Sequence, residues 1–192
     1  IGAMDALTSG DYNTVIGYNA GTSINSGQYN ILLGANAGDA LTSGTRNVAV
    51  GHNALSTEDG HGRNVAVGHN ALFTLDAGAD AYNVAIGYDA GTLITTGSRN
   101  TLIGSLTGDA LTTGYYNTAL GYQALSSSQT GRNAVAIGYQ ALMSEASTNT
   151  ETYNVAVGYR AGYVVSTAIN NTIIGASAGY ALTTGSYNVA IG

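Results

Sequence analysis

Cysteine, proline, tryptophan and lysine are all missing from these 192 residues, and each absence narrows the field. Without cysteine there is no disulfide framework and no thiolate metal site. Without lysine, and with only 5 arginines against 11 acidic residues, the net charge of −6 offers no basic patch for nucleic acid or an anionic membrane. Charged residues make up only 8% of the chain while 44% is hydrophobic, a balance that disfavours disorder. No run approaches 18 apolar residues, so no membrane insertion is expected of this segment, and no signal peptide is visible. What the chain has in abundance is glycine, 28 residues, and tyrosine, 14 residues.

The glycines keep time. A motif of Asn, Val or Thr, a small or apolar residue, Ile or Val, then Gly recurs along the chain, as in Asn47-Val48-Ala49-Val50-Gly51. Eight of the eleven intervals between motif glycines are 17 residues, which defines a 17-residue repeat. The longer intervals mark two insertions, at 73–81 and 143–152. Apolar residues alternate inside the motif, the period of a half-buried strand, and nothing supports the helical period of 3.6. Thr-Gly and Ser-Gly pairs such as Thr113-Gly114 and Ser43-Gly44 are turn chemistry. Each repeat is expected to form two short strands and two tight turns. The predicted fold is all-β, a parallel β-solenoid (β-roll) of about eleven 17-residue coils, stacked at roughly 4.8 Å into a rod. The whole chain, 1–192, reads as one repeat array, simplest as a window of a longer fibre.

Slots within the repeat carry further expectations. Where the strand centre is Ala, as at 49, 66, 85, 119, 136 and 156, the residue after Gly is a large ring; where it is Leu32, Leu102 or Ile173, that residue is Ala35, Ser105 or Ala176. Two slots that trade volume share one space, so the ring is expected to fold over the motif Ala, in the same chain or a neighbouring one. Asn13, Asn30, Asn47, Asn64, Asn83, Asn100, Asn117, Asn154, Asn171 and Asn188 are expected to stack as a structural ladder, with Ala134 as the candidate occupant of that slot in the 133–138 repeat. The preceding slot holds Tyr12, Tyr29, Arg46, Arg63, Tyr82, Arg99 and Tyr116, a second ladder of rings and guanidinium planes and the candidate surface for ligand contacts. A thin core of one Leu and two β-branched residues per coil hardly offsets the entropy of ordering it, which motivates association into a homotrimer.

Asn-Val-Ala-Ile-Gly-Tyr at 83–88, with its relatives at 154–159 and 188–192, resembles the repeats of YadA-like heads of trimeric autotransporter adhesins. Similar arrays occur in bacteriophage tail-fibre proteins. The resemblance covers essentially the whole chain and implies three parallel β-rolls side by side, extracellular, on a cell surface or on a virion. It implies an attachment role, with a cell-surface glycan or other host receptor as partner. The period is longer than in the best-known adhesin heads, and no coiled-coil stalk or anchor is present in these residues.

Chemistry is sparse. His52 and His69, in equivalent slots, would suit zinc or nickel if they converged, but they replace Tyr in a ring-packing slot, so packing is the expected role. Ser56, Asp59 and His61 sit too close in one turn for a triad. Asp76 and Asp80 in the first insertion would suit calcium, yet its polar make-up reads as solvent exposure. Thr-Thr and Thr-Ser pairs at 8–9, 42–43, 95–96, 112–113 and 183–184 form a broken hydroxyl array. That array supplies an alternative, a monomeric solenoid that binds ice or polysaccharide through a Thr or Tyr ladder. No catalytic constellation, cofactor or metal site emerges, and a non-enzyme is expected.

Overall fold

The computed structural model describes residues 2–145 and 151–192, so residues 146–150 of the second insertion, and Ile1, lie outside the described residues. Eleven strands of three residues lie side by side in one sheet, in chain order. They are β1 (Thr14–Ile16), β2 (Ile31–Leu33), β3 (Val48–Val50), β4 (Val65–Val67), β5 (Val84–Ile86), β6 (Thr101–Ile103), β7 (Thr118–Leu120), β8 (Val135–Ile137), β9 (Val155–Val157), β10 (Thr172–Ile174) and β11 (Val189–Ile191). Every neighbouring pair is parallel, with equivalent residues opposite one another, as Val48 is to Val65. The chain is therefore an all-β parallel solenoid of about ten turns, with no helix among the described residues. Each coil contributes one strand, where the sequence reading expected two. The rest of the coil is corners, which glycine and Asn-rich turns bend too sharply for a second ladder.

Those corners recur at fixed slots. The motif glycines from Gly17 to Gly175 hold φ between 123° and 146°. A Cβ on Gly121 would sit 2.5 Å from the carbonyl oxygen of Gly138 on the next coil, so only glycine allows the coils to approach. Three further corners per coil are left-handed. They fall on the residue before the motif Asn (Arg46, φ 58°), two residues after the glycine (Asn53, φ 56°) and four after it (Leu55, φ 52°, or Gly38, φ 55°). Left-handed backbone disfavours side-chain-bearing residues by about 1–2 kcal/mol each. Coil-to-coil hydrogen bonds at each corner hold them there, such as Arg46 N–H to Gln28 O at 3.0 Å and Leu55 N–H to Ala71 O at 3.0 Å.

The interior is narrower than the sequence reading assumed. The strand-centre residues Ala49, Ala66, Ala85, Ala119, Ala136 and Ala156 are fully buried, while the flanking Val and Ile residues face outward and are half-buried or exposed. The β-branched residues thus coat the outside of the sheet. A second core column comes from Ile24, Leu41, Leu75, Ile94, Leu111 and Val165, seven residues after each glycine.

The volume exchange is real, but its partner is a different slot. The rings after the glycine, such as Tyr88 and Tyr122, are exposed and do not cover the motif Ala. Bulk at the strand centre trades instead with the corner four residues after the glycine. The Leu102 methyls lie 2.9 Å from where a Cβ on Gly91 would be and 3.0 Å from one on Gly108. Coils with Ala49, Ala66, Ala119 or Ala136 place buried Leu55, Leu72, Leu125 or Leu142 at that corner. Large strand centres fall on every fourth coil (Leu32, Leu102, Ile173), spaced 70 and 71 residues apart. Both insertions also keep this step, following the fourth and eighth strands. The array is a four-coil block repeated, and the small residues Ala35, Ser105 and Ala176 belong to the same coil of each block.

Candidate functional site

The motif asparagines form a hydrogen-bonded row. Asn100 Oδ1 accepts the backbone N–H of Asn117 at 3.0 Å and its Nδ2 at 3.0 Å, while Asn100 Nδ2 donates to Asn83 Oδ1 at 3.2 Å and to Gly114 O at 2.9 Å. Asn13, Asn30, Asn47, Asn64, Asn83, Asn117, Asn154, Asn171 and Asn188 all carry rungs of this kind. Their amides are spent on the scaffold, so the row is closed to ligands.

The row has one break, and the chain mends it. Ala134 takes the asparagine slot in the coil of β8, and its N–H still donates to Asn117 Oδ1 at 3.0 Å. It has no amide to accept from Asn154. Glu145, in the core column held mostly by Leu and Ile, supplies the acceptor: Asn154 Nδ2 donates to its Oε1 at 2.9 Å. Burial raises the Glu145 pKa above the usual carboxyl value, and the hydrogen bond from Asn154 only partly offsets it. The carboxyl is a structural plug. Glu58 occupies the same column in the coil of β3 and accepts the backbone N–H groups of His61 at 3.1 Å and Ala77 at 3.4 Å. Burial raises its pKa too, against the pull of those N–H groups and the His61 imidazole.

Glu58, Asp59 and His61 bring one donor atom each within 4.8 Å of one another. Both Glu58 oxygens already serve the turn, which makes the group a clamp between coil and insertion. Asp80 of the first insertion pairs with Arg63 and accepts the Gly62 N–H at 3.0 Å, so it too ties the insertion to the coil. Ser56 donates to Asp39 Oδ1 at 2.6 Å on the preceding coil and has no contact with His61. No nucleophile–base pair forms there.

The outer ladder lies in the left-handed slot beside the asparagines. Tyr12 and Tyr29 stack at 4.9 Å; Arg46 covers Tyr29 at 5.5 Å; Arg63 and Arg99 cover Tyr82 at 5.5 and 5.8 Å; Arg99 also covers Tyr116 at 5.4 Å. Rings and guanidinium planes face one another along the axis, so much of each flat surface is used within the row. The threonines behave similarly. The hydroxyls of Thr8, Thr42, Thr95 and Thr112 donate to carbonyls of the next coil at 2.8, 2.9, 3.2 and 3.0 Å.

Two surfaces remain uncommitted. One is the outer face of the sheet, where each strand sends out two side chains, all Val, Ile, Leu or Thr and none charged. Ile16, Ile86, Ile103, Ile137 and Ile174 are exposed on it. Its length is about 50 Å for eleven strands, and its area of roughly 500 Å² is at the upper end for a monomer's apolar patch. The other is the row of rings after the motif glycines, which the sequence reading assigned to the core. His52 and His69 stack there at 5.3 Å, with His69 Nδ1 3.6 Å from Asp89 Oδ1. No helix is long and apolar enough to cross a membrane among the described residues. A comparison with known proteins finds no matching family model, no matching curated protein and no matching solved structure.

Proposed function

We propose that this chain is a rigid, non-enzymatic segment of an extracellular, cell-surface or virion fibre, a homotrimer that displays or mediates attachment to a host or surface. The observation that carries the reading is the uncharged face of Val, Ile, Leu and Thr that runs along all eleven strands. A face of Val and Ile running the length of a rod is best covered by the same face of parallel copies, and burying it stabilises by about 25 cal/mol per Å². The strand-centre Ala residues lie inside each coil, so the Val and Ile face is what association would cover. The motif resemblance to trimeric adhesin heads and tail fibres supports the same arrangement. Stiffness follows from a core in which every coil is hydrogen-bonded to the next.

Light scattering on a sizing column tests this directly. A mass near three times 19.3 kDa supports the trimer, and Ile103→Asp is then expected to dissociate it. A mass near 19.3 kDa overturns it. The second reading, a monomer that binds ice or polysaccharide through a Thr or Tyr ladder, is favoured by the regular rung spacing of those rows, in which Tyr12 and Tyr29 stack at 4.9 Å. It predicts thermal hysteresis or polysaccharide binding from the monomer, lost when Thr95 and Thr112 or the exposed Tyr residues are substituted.

A further inference from the structure

The ring row is interrupted, and the interruption has a shape. Its rings fall on Tyr18, His52, His69, Tyr88, Tyr122, Tyr139 and Tyr159. Neighbouring coils stack them: His69 on Tyr88 at 5.2 Å, Tyr122 on Tyr139 at 5.5 Å, Tyr139 on Tyr159 at 5.3 Å. Between Tyr88 and Tyr122 the rung belongs to Ser105. The three residues are successive rungs, because Leu106 N–H donates to Tyr88 O at 2.8 Å and Gln123 N–H donates to Ser105 O at 3.1 Å. Two rungs of about 4.8 Å leave the tyrosine rings roughly 10 Å apart. A ring seated on the missing rung would have a tyrosine about 5 Å from each face, the spacing that the chain's own rings adopt. Both walls are open to solvent, Tyr88 at 53% and Tyr122 at 43%.

The rim is mixed. Asp89 and Gln123 follow the two tyrosines at left-handed corners, and the half-buried Leu106 follows Ser105 on the rung between them. Asp89 Oδ1 accepts from Asn70 at 3.0 Å, and its second oxygen is a further acceptor; Gln123 Oε1 accepts from Gln140 at 2.7 Å, and its NH₂ is a donor. Ser105 adds a hydroxyl on the floor. Two apolar walls with an acceptor, a donor and a hydroxyl at the edge match a ring that is apolar on its faces and hydroxylated around its rim. An anionic ligand is disfavoured by Asp89 and by the net charge of −6.

From this geometry we infer that the slot at Ser105 binds a neutral pyranose residue, sandwiched between Tyr88 and Tyr122. The equivalent slot of the preceding block, Tyr18 and His52 around Ala35, lies four coils away and lacks the floor hydroxyl. It is a weaker second site about 19 Å along the rod. The slot is built by one chain, so it stands whether or not the trimer does.

The test is a titration of the whole 192-residue chain with methyl glycosides of glucose, galactose, mannose and N-acetylglucosamine, read by ligand-observed NMR, with sialic acid and tyrosinamide as controls. At least one neutral glycoside is expected to saturate at millimolar concentration. S105Y fills the rung and is expected to weaken binding at least tenfold while leaving the thermal midpoint unchanged or higher. Tyr122→Ala is expected to weaken it similarly, and it keeps the question open to experiment if S105Y fails to fold. The proposal is overturned if no neutral glycoside saturates, if both variants bind as the parent does, or if only tyrosinamide or sialic acid binds.

Discussion

Two ladders run side by side along this solenoid, one residue apart in sequence, and they obey different rules. The inner row is asparagine on every described coil from Asn13 to Asn188 except at Ala134, and that exception recruits a buried glutamate to serve the orphaned amide. The outer row exchanges Tyr, Arg and Asn, with Asn133 and Asn170 in the slot of Tyr12 and Arg46; at Asn133 the stacking moves one residue over, where Arg132 covers Tyr115 at 4.5 Å. The difference is solvent. A buried donor without an acceptor loses about 1–3 kcal/mol, whereas an exposed plane that loses its neighbour turns to water.

The sharpest break of that comparison is Asn100→Ala. It strands the Asn117 N–H, one hydrogen of its Nδ2 and the Gly114 carbonyl in the interior, and should lower stability by about 3 kcal/mol or more in denaturant unfolding. Gly108→Leu comes next. Leu is accepted at the same left-handed corner in four other coils, so the expected loss of about 2 kcal/mol arises from collision with Leu102. Leu102→Ala in the same chain should recover part of it, and additivity of the two changes would refute the volume exchange.

Glu145 sharpens the comparison at the mended rung. Its folded pKa lies above the unfolded value of 4.5, so its contribution is complete below pH 4.5 and is lost as pH rises through the folded value. Glu145→Gln keeps the acceptor for Asn154 and removes the charge. It should stabilise by about 1 kcal/mol at pH 7 and flatten the pH dependence of the thermal midpoint. The smallest effect belongs to Arg99→Ala in the outer row, below about 1 kcal/mol even though the side chain covers two rings.

Much of this was legible before any coordinates. The repeat length, the parallel stacking and the glycine corners all follow from intervals of 17 and from residues that only tolerate certain backbone angles. Ala134 could be placed in the asparagine slot by counting back from Gly138. Glu145 could not, since nothing in Met-Ser-Glu marks a glutamate that faces inward; the only signal was its position seven residues after a motif glycine, where most other coils carry Leu, Ile or Val. The four-coil block was equally present in the string, in Gly38-Asp39-Ala40-Leu41-Thr42 and Gly108-Asp109-Ala110-Leu111-Thr112, but a 17-residue comparison averages it away.

The sequence by itself determined the pitch of the rod, because a strand, a glycine corner and an amide rung recur at one interval and can be satisfied only by stacking. Alternation in Val48-Ala49-Val50 showed that the strand has two faces. Which face is the inside was decided by tertiary structure alone. A 17-residue coil encloses too little space for two β-branched columns beside the Leu and Asn columns, so Ala goes in and Val and Ile are left on the surface.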